Sequence, residues 1–268
     1  MKYTEDYLKI KELIKEADAV LIGLGSGISA AGGLDYFSED VFKKLYPKYY
    51  EKGYKYIFHA ISEHWVCNIT EENCYDYWNF WTRHIYNVRY NVDTLLPYKL
   101  LKEIVLNKKH FAITTNGDGQ TQRVFENVYA PQGDYSLFQC RVNCNDKVYD
   151  NKEFVLENLD NVKTIPRCSN CGDFLIPNLR VDNYFCETFG QTNYEKYYNF
   201  LMENKDKKLV ILELGVGFNT PSIIRFPFDK LSTLQNATLV RVNSSDPDVI
   251  HGFGISEDIT KVLLNLKE

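Results

Sequence analysis

Four of the seven cysteines fall in two close pairs, and thiolates at this spacing can bind a metal ion. Three residues separate Cys140 from Cys144, and two separate Cys168 from Cys171. Gly172 follows the last cysteine and permits the tight turn that aims two thiolates at one ion. The pattern predicts a closed, tetrahedral, structural Zn²⁺ site, with ordinary reduced thiols as the alternative. The wider gap at the first pair leaves its geometry open.

Glycines are concentrated directly after the first apolar run of the chain, residues 19–23. They are Gly23, Gly25, Gly27, Gly32 and Gly33. Glycines at such a position let the backbone turn tightly and approach a pyrophosphate near a helix N-terminus. Simple close packing is the alternative interpretation. No acidic residue clearly ends a second strand about 20 residues further on, and this argues against hydride transfer by an ordinary dehydrogenase.

Polar side chains follow the second apolar run, residues 110–115. Thr115, Asn116 and Asp118 stand there in the sequence TTNGDG. A carboxamide and a carboxylate at a strand end can hold a ribose or an amide, although the same residues are also typical of an ordinary turn.

The third and fourth apolar runs, residues 208–214 and 238–242, end in the same way. Asn219 follows Gly215 and Gly217, and Asn243 ends the fourth run. We expect these strand ends to converge on one site, because the carboxyl ends of parallel strands meet at one edge of a sheet. The third run also contains Glu213, which must be paired if it is buried.

The spacing of the four apolar runs predicts the fold class, which is α/β with a Rossmann-like, doubly wound parallel sheet. Helical periodicity indicates an opening helix over residues 4–17 and a closing helix over residues 256–266, with Ser256 as its cap. We expect residues 1–268 to form a single catalytic unit whose sheet domain comprises about 1–36, 96–139 and 205–268. A small domain is expected from two inserts, a helical one at about 37–95 and a zinc ribbon at about 140–200.

Bulk composition restricts the class of function. The chain has 268 residues, 44% of them hydrophobic, and a formal net charge of -5. It has no basic stripe for nucleic acid and no apolar run of the roughly 20 residues that cross a bilayer. We therefore expect a cytoplasmic protein that binds neither nucleic acid nor membrane.

Taken in chain order, these motifs resemble the sirtuin family over nearly the whole length. Residues 25–29 through 33–36 resemble the family's cofactor loop, residues 115–118 its nicotinamide and ribose motif, and the two cysteine pairs its zinc ribbon. The resemblance implies NAD as co-substrate and zinc as a structural ion. It places NAD at Gly25, Ser26, Gly27, Ser29, Asp35, Tyr36, Thr115, Asn116, Asp118, Gly215, Val216, Gly217, Asn219 and Asn243. It places Asn116 near the nicotinamide ribose and Asp118 near the nicotinamide amide.

Three positions depart from the family pattern. Leu34 stands where the family has a proline before the loop aspartate, and Phe37 stands where it has an arginine. Gln132 stands where the family has the histidine that accepts a proton during deacylation. An amide cannot accept that proton, but it can position a ribose or substrate group by hydrogen bonding. The resemblance therefore implies Asn116, Gln132 and Asp118 as the catalytic residues.

Three stretches, residues 77–85, 132–135 and 212–221, look like those of the macrodomain-linked (class M) sirtuins. That resemblance implies a protein ADP-ribosyltransferase. Its implied substrate is a lipoylated carrier similar to the glycine cleavage H protein, and its implied functional partner is a macrodomain hydrolase that reverses the modification. An NAD-dependent lysine deacylase and a catalytically silent NAD-binding module are the alternatives.

His84 is the one histidine placed to act as a substitute base. Trp78, Trp81, Ile85 and Val88 recur around it at helical spacing, however, and indicate a core stripe. We therefore expect His84 to be packed rather than catalytic.

Overall fold

The computed structural model describes residues 3–267, except for the side chains of residues 188–192. Its strands are β1 (Ala19–Leu24), β2 (Lys109–Thr114), β3 (Val128–Tyr129), β4 (Gly133–Cys140), β5 (Val148–Asp150), β6 (Leu175–Leu179), β7 (Leu209–Leu214), β8 (Ala237–Val242) and β9 (Gly252–Ile255). Its helices are α1 (Thr4–Glu16), α2 (Ser26–Ala31), α3 (Glu39–Leu45), α4 (Pro47–Glu51), α5 (Ile57–Ile61), α6 (His64–Cys67), α7 (Cys74–Ile85), α8 (Leu96–Val105), α9 (Gln120–Val124), α10 (Lys152–Glu157), α11 (Thr188–Asn204), α12 (Arg225–Ser232) and α13 (Ile259–Lys267), with a π-helical turn at Tyr86–Tyr90.

Six strands form one parallel sheet in the order β3-β2-β1-β7-β8-β9. This is the predicted doubly wound α/β sheet. β1 pairs with both β2 and β7, so the direction of winding reverses beside it. Open α/β sheets bind ligands at the carboxyl ends of strands at such a reversal.

The apolar run of β1 is buried along its whole length, and its alternate residues serve two separate cores. Val20, Ile22 and Leu24 pack in one core with residues of α1, α8 and α13. Ala19 and Leu21 pack on the other face with residues of α11 and α12. A strand that helices cover on both faces has a continuous run of hydrophobic residues, and β1 could therefore be predicted from the sequence.

The two inserts pack together into one module. Helices α3 to α7 bring their aromatic side chains around Trp78 and Phe80, which are both fully buried. Phe138 of β4 and Ile176 of β6 join the same cluster, so the second insert completes the core of the first. The small sheet itself is antiparallel, in the order β5-β4-β6.

The structure differs from the expected boundaries of the second insert. β4 begins at Gly133 and pairs with β6, so the small sheet starts before residue 140. α11 begins at Thr188 and packs on β2 and β3, so the chain returns to the large sheet before residue 205. Apolar periodicity does not distinguish which sheet an element joins.

The expected helix cap at Ser256 is wrong. The closing helix begins at Ile259, and the Asp258 side chain accepts a hydrogen bond from the backbone N–H of Lys261 at 2.9 Å. The Ser256 hydroxyl donates instead to the backbone oxygen of Ser244. Over the described residues, no helix combines the length and the apolar character needed to cross a bilayer.

Candidate active site

A cavity of about 220 Å³ opens at the carboxyl ends of β1, β2 and β7. It is lined by Gly25, Ser26, Thr115, Asn116, Gln132, Val216, Gly217, Asn219 and Thr220. Eight of these nine residues are among those to which the family resemblance assigns NAD binding or catalysis, and Thr220 is the addition; the assigned roles stay predictions. The lining contains amides, hydroxyls and backbone, and none of its side chains has an acidic, basic or thiol group.

The two glycine-rich loops are in direct contact beside this cavity. A Cβ atom on Gly27 would lie 2.6 Å from the Cα of Gly215, and one on Gly25 would collide with the carbonyl oxygen of Gly215. Gly25 and Gly27 also donate backbone hydrogen bonds to Leu214 and Gly215. Close packing therefore accounts for these three glycines, and the same close approach shapes the cavity.

We expect Gly215→Ala to lower the free energy of unfolding by about 2 kcal/mol or more. Gly215 has a φ of +65°, and a Cβ atom there would lie 2.5 Å from the Cα of Gly27. Urea denaturation measures the change. Gly217→Ala is the matched control for stability, because a Cβ atom on Gly217 meets nothing within 4 Å. Equal stability of the two variants would contradict the interlocked loops.

The amide of Asn116 is fixed from behind the cavity wall. Its Nδ2 donates to the carbonyl oxygen of Gly25 at 2.9 Å and to the hydroxyl of Tyr98 at 3.1 Å, and it lies 3.3 Å from the Ser29 hydroxyl. These partners come from the turn after β1, from α2 and from α8. The side chain is therefore rigidly oriented before any ligand binds.

Asp118 and Ser29 lie behind Asn116 and do not line the cavity. The Ser29 hydroxyl donates to the Asp118 carboxylate at 2.6 Å, and the backbone N–H of Gln120 donates to the other oxygen at 3.0 Å. Burial raises the pKa of Asp118, although these two hydrogen bonds oppose the shift. The contact predicted between Asp118 and nicotinamide therefore stays a prediction.

Gln132 reaches the cavity because of the residue after it. Gly133 has a φ of +96°, and a Cβ atom there would collide with the carbonyl oxygen of Asn178 on β6. The carbonyl oxygen of Gln132 accepts a hydrogen bond from the backbone N–H of Arg180 at 3.1 Å. Only glycine allows β4 to approach β6 so closely, and the approach fixes the backbone at Gln132.

Asn243 also lies outside the cavity lining, where it organises the loops around it. Its Nδ2 donates to the carbonyl oxygen of Val216 at 2.9 Å, and its Oδ1 accepts from the backbone of Ser245 and Asp246. Arg225 donates to the same carbonyl oxygen of Val216 at 3.2 Å and to that of Asp246 at 2.8 Å. Two side chains thus set the position of Val216 in the cavity wall.

Asp35 and Tyr36 do not line the cavity either. The Asp35 carboxylate accepts a hydrogen bond from the backbone N–H of Phe37 at 2.8 Å, and this closes a tight turn. The Phe37 ring, which replaces the expected arginine, packs against Phe58 with ring centroids 5.1 Å apart. The predicted contacts of Asp35 and Tyr36 with NAD stay predictions.

His84 is buried, as expected for a core residue. Its pKa is lowered to about 3 by burial, so the imidazole is neutral at physiological pH. The hydroxyl of Tyr46 lies 2.8 Å from its Nδ1 atom. An enclosed imidazole of this kind does not reach the cavity and does not act as a substitute base there.

The four paired cysteines come together in space. The sulfur atoms of Cys140, Cys144, Cys168 and Cys171 all lie within 4.8 Å of one another. A tetrahedral zinc with Zn–S bonds of about 2.3 Å separates its sulfurs by about 3.8 Å. Cys140 and Cys171 are 3.5 Å apart, and Cys144 and Cys168 are 3.6 Å apart. The cluster is therefore compatible with a structural zinc ion.

The additional residue between Cys140 and Cys144 is accommodated because Asn143 adopts a left-handed backbone conformation. Asn143 has a φ of +46° and donates a backbone hydrogen bond to the carbonyl oxygen of Cys140 at 2.9 Å. Backbone N–H groups of Val142 and Cys144 point at the Cys140 sulfur, and those of Asn170 and Cys171 point at the Cys168 sulfur. Both turns thus present the backbone donors that stabilise thiolates.

Comparison with known proteins shows which fold this architecture has. No family model matches the chain. It is 29% identical over 247 residues to a protein ADP-ribosyltransferase of Staphylococcus aureus, an alignment that covers 87% of this chain and 76% of the relative. It is 30% identical over 241 residues to a probable bifunctional ADP-ribose hydrolase/ADP-ribosyltransferase of Fusarium oxysporum f. sp. cubense, covering 82% of this chain and 39% of that relative. A Sir2 homologue solved in complex with NAD superposes with a TM-score of 0.63 at 15% identity, over 97% of this chain and 92% of the other. The chain has the Sir2 fold.

Three residues of this Sir2-fold site were not predicted from the sequence. Thr220 follows Asn219 directly, so its place at a polar strand end was a usable signal. Tyr98 and Arg225 orient Asn116 and Val216, yet each appears in the sequence as an ordinary residue of a helix. Their roles depend on contacts with loops that lie far away along the chain.

Proposed function

We propose that this chain cleaves NAD and transfers ADP-ribose to a protein, with release of nicotinamide. One observation carries the proposal: Gln132 lies in the cavity together with Asn116, and no residue in the described lining can serve as a general base. Both curated relatives are named for ADP-ribosyl transfer, which supports the same reaction here.

The absence of a base in this lining favours transfer over deacylation. In deacylation a base removes a proton from a ribose hydroxyl after the acyl oxygen has attacked the sugar. The neutral amides of Asn116, Gln132 and Asn219 can hydrogen-bond ribose hydroxyls, but they cannot take that proton. Direct attack by a nucleophile of the partner protein needs no such step inside the cavity.

The proposed reaction is one substitution at the anomeric carbon of the nicotinamide ribose. The bond from this carbon to the nicotinamide nitrogen breaks, and nicotinamide leaves with the electron pair. A nucleophilic atom of the partner forms the new bond and loses its proton to solvent. The backbone at Gly25 and Gly217 approaches the pyrophosphate, Asn116 orients the ribose, and Gln132 holds a ribose or acceptor group.

We extend the proposal to the partners. The acceptor is a lipoylated carrier protein similar to the glycine cleavage H protein, and a macrodomain hydrolase removes the modification. The name of the Fusarium relative combines an ADP-ribose hydrolase with an ADP-ribosyltransferase, which supports a hydrolase as functional partner. The reaction takes place in the cytoplasm, where paired thiols stay reduced and available to a metal.

The test incubates the purified protein with labelled NAD and a lipoylated H-like carrier and measures label on the carrier. We expect Asn116→Ala to reduce labelling roughly a hundredfold, since the reacting groups lose their orientation. Asn265→Ala is the matched control, because that half-buried asparagine of α13 donates to the carbonyl oxygen of Lys261 in its own helix. Labelling that persists in Asn116→Ala at the parental rate would exclude the assigned role.

The same assay separates the competing activities. Nicotinamide release with an acyl group transferred onto ADP-ribose would establish a deacylase. Tight NAD binding without nicotinamide release, even with the carrier present, would establish a binding module.

A further inference from the structure

His84 is buried among three tyrosines, of which Tyr46 and Tyr135 are buried and Tyr36 is half-buried. We name these four residues the His84 cluster: His84, Tyr36, Tyr46 and Tyr135. The Tyr36 hydroxyl lies 3.4 Å from Nε2 and the Tyr46 hydroxyl 2.8 Å from Nδ1. The Tyr135 ring meets the imidazole edge-on, with ring centroids 4.9 Å apart, and its hydroxyl hydrogen-bonds that of Tyr36. Three phenols and an imidazole therefore share a space that the surrounding aromatic core could have filled with phenylalanine.

Tyr36 attaches the cofactor loop to the helical module at this cluster. The carbonyl oxygen of Tyr36 accepts a hydrogen bond from the backbone N–H of Phe58 at 3.0 Å, and the Phe37 ring packs on Phe58. The loop thus has a backbone contact, an apolar contact and a buried hydroxyl contact with the module. The hydroxyl contact fixes the orientation of the Tyr36 side chain relative to the module, since buried hydrogen bonds are sensitive to geometry.

Tyr135 connects the same cluster to the residues of the cavity. It lies three positions after Gln132, and its backbone N–H donates to the carbonyl oxygen of Gly117 at 2.9 Å. Gly117 is the residue between Asn116 and Asp118. One imidazole therefore contacts both the cofactor loop and the strand that continues from Gln132.

We propose that His84 is a positioning residue whose buried imidazole holds the Tyr36 hydroxyl and the Tyr135 ring. These contacts order the cofactor loop against β4, the strand that follows Gln132, before NAD binds. The inference rests on the proposed function for its link to turnover. A loop that is ordered in advance loses less conformational entropy when ligand binds. The cluster is thus expected to govern NAD affinity more than the chemical step.

The test compares Tyr36→Phe, His84→Phe and the double variant. Each single change removes a hydrogen-bonding group and keeps an aromatic ring of similar size. We expect the KM and Kd for NAD to rise about tenfold, as for loss of one hydrogen bond, while kcat changes by less than about twofold. Hydrogen exchange of residues 34–38 should become faster. In NAD affinity the double variant should resemble the singles, because each single variant already loses the contact between the Tyr36 hydroxyl and His84 Nε2. The further losses, of the Tyr46 contact in His84→Phe and of the Tyr135 contact in Tyr36→Phe, should affect stability rather than NAD affinity.

Tyr90→Phe is the matched control. It removes a hydroxyl that hydrogen-bonds Asn151 Oδ1 at 2.6 Å in the same module and does not touch the cofactor loop. We expect it to lower thermal stability and to leave the KM for NAD unchanged. An equal rise in KM for Tyr90→Phe, or additive effects in the double variant, would overturn the positioning role.

Two readouts keep this inference distinct from the proposed function. Calorimetric NAD binding and hydrogen exchange need no acceptor protein, and Tyr36→Phe alone tests the idea if His84→Phe does not fold. Unchanged NAD affinity and loop exchange in Tyr36→Phe would remove the positioning role. Failure of the parental protein to label any carrier while it binds NAD contradicts the proposed transfer reaction alone.

Discussion

Cys168→Ser is expected to abolish zinc binding and to unfold the small sheet β5-β4-β6. The four sulfurs that lie within 4.8 Å of one another need a cation to offset their thiolate charges, and a serine hydroxyl does not replace a thiolate ligand. Structural zinc contributes on the order of 10 kcal/mol in small zinc domains, which is comparable with the whole stability of a typical fold. The large parallel sheet has its own two apolar cores and should stay folded.

Elemental analysis and hydrogen exchange measure this outcome. We expect about one zinc per parental chain. In Cys168→Ser we expect almost none, with loss of protection in β4 and β6 but not in β1 or β7. Cys74→Ser is the matched control, because Cys74 is also a buried cysteine and its thiol donates only to the carbonyl oxygen of Glu71. Parental zinc content in Cys168→Ser would refute the site, and so would zinc loss in Cys74→Ser.

The sequence predicted those elements whose burial is continuous. β1 is an uninterrupted apolar run buried along its length, and β7 and β8 are similar runs that each contain one buried charged residue, Glu213 and Arg241. The edge strands β3 and β9 were missed. β3 has two residues and β9 has the sequence GFGI, so neither carries a recognisable period. Edge strands are defined by their neighbours, and a sequence does not display those.

The residues of the candidate site also fall into those that the sequence could predict and those that it could not. Polar residues at strand ends were predictable, since the topology brings the carboxyl ends of parallel strands together, and Asn116 and Asn219 do meet at one cavity. Gln132, which only the family resemblance implied, lines the same cavity. The positions of Asp118 and Asn243 behind the cavity were not predictable. They depend on hydrogen bonds to Ser29 and Val216, which are 89 and 27 residues away along the chain. Residue type identified the chemistry, and long-range contacts decided which side chains face the ligand.

Glu213 is a sharper case, because the sequence required a partner for it without identifying one. The partner is Arg241 on the adjacent strand β8, opposite Glu213 in the register of the sheet. Arg241 Nε lies 2.6 Å from one carboxylate oxygen of Glu213 and Arg241 Nη2 lies 3.0 Å from the other. Arg225 Nη1 lies 3.9 Å from the same carboxylate. Arg241 also contacts Asp229 at 2.9 Å. Two arginines and two carboxylates therefore balance one another beneath the loops of the site.

Glu213→Gln is expected to lower the free energy of unfolding by about 3 kcal/mol, because it leaves two buried arginines with one carboxylate. Burial raises the pKa of Glu213 while Arg241 opposes that shift, so the ion pair is needed to keep the carboxylate charged. The midpoint of urea denaturation measures the loss. Glu203→Gln is the matched control, because its exposed pair with Lys109 is screened by water and should leave the midpoint almost unchanged. If the two variants shifted the midpoint equally, the buried pair would have no special role. A larger shift for Glu213→Gln, with a raised KM for NAD, would show that the same ions also hold Arg225 against Val216 and so maintain the cavity wall.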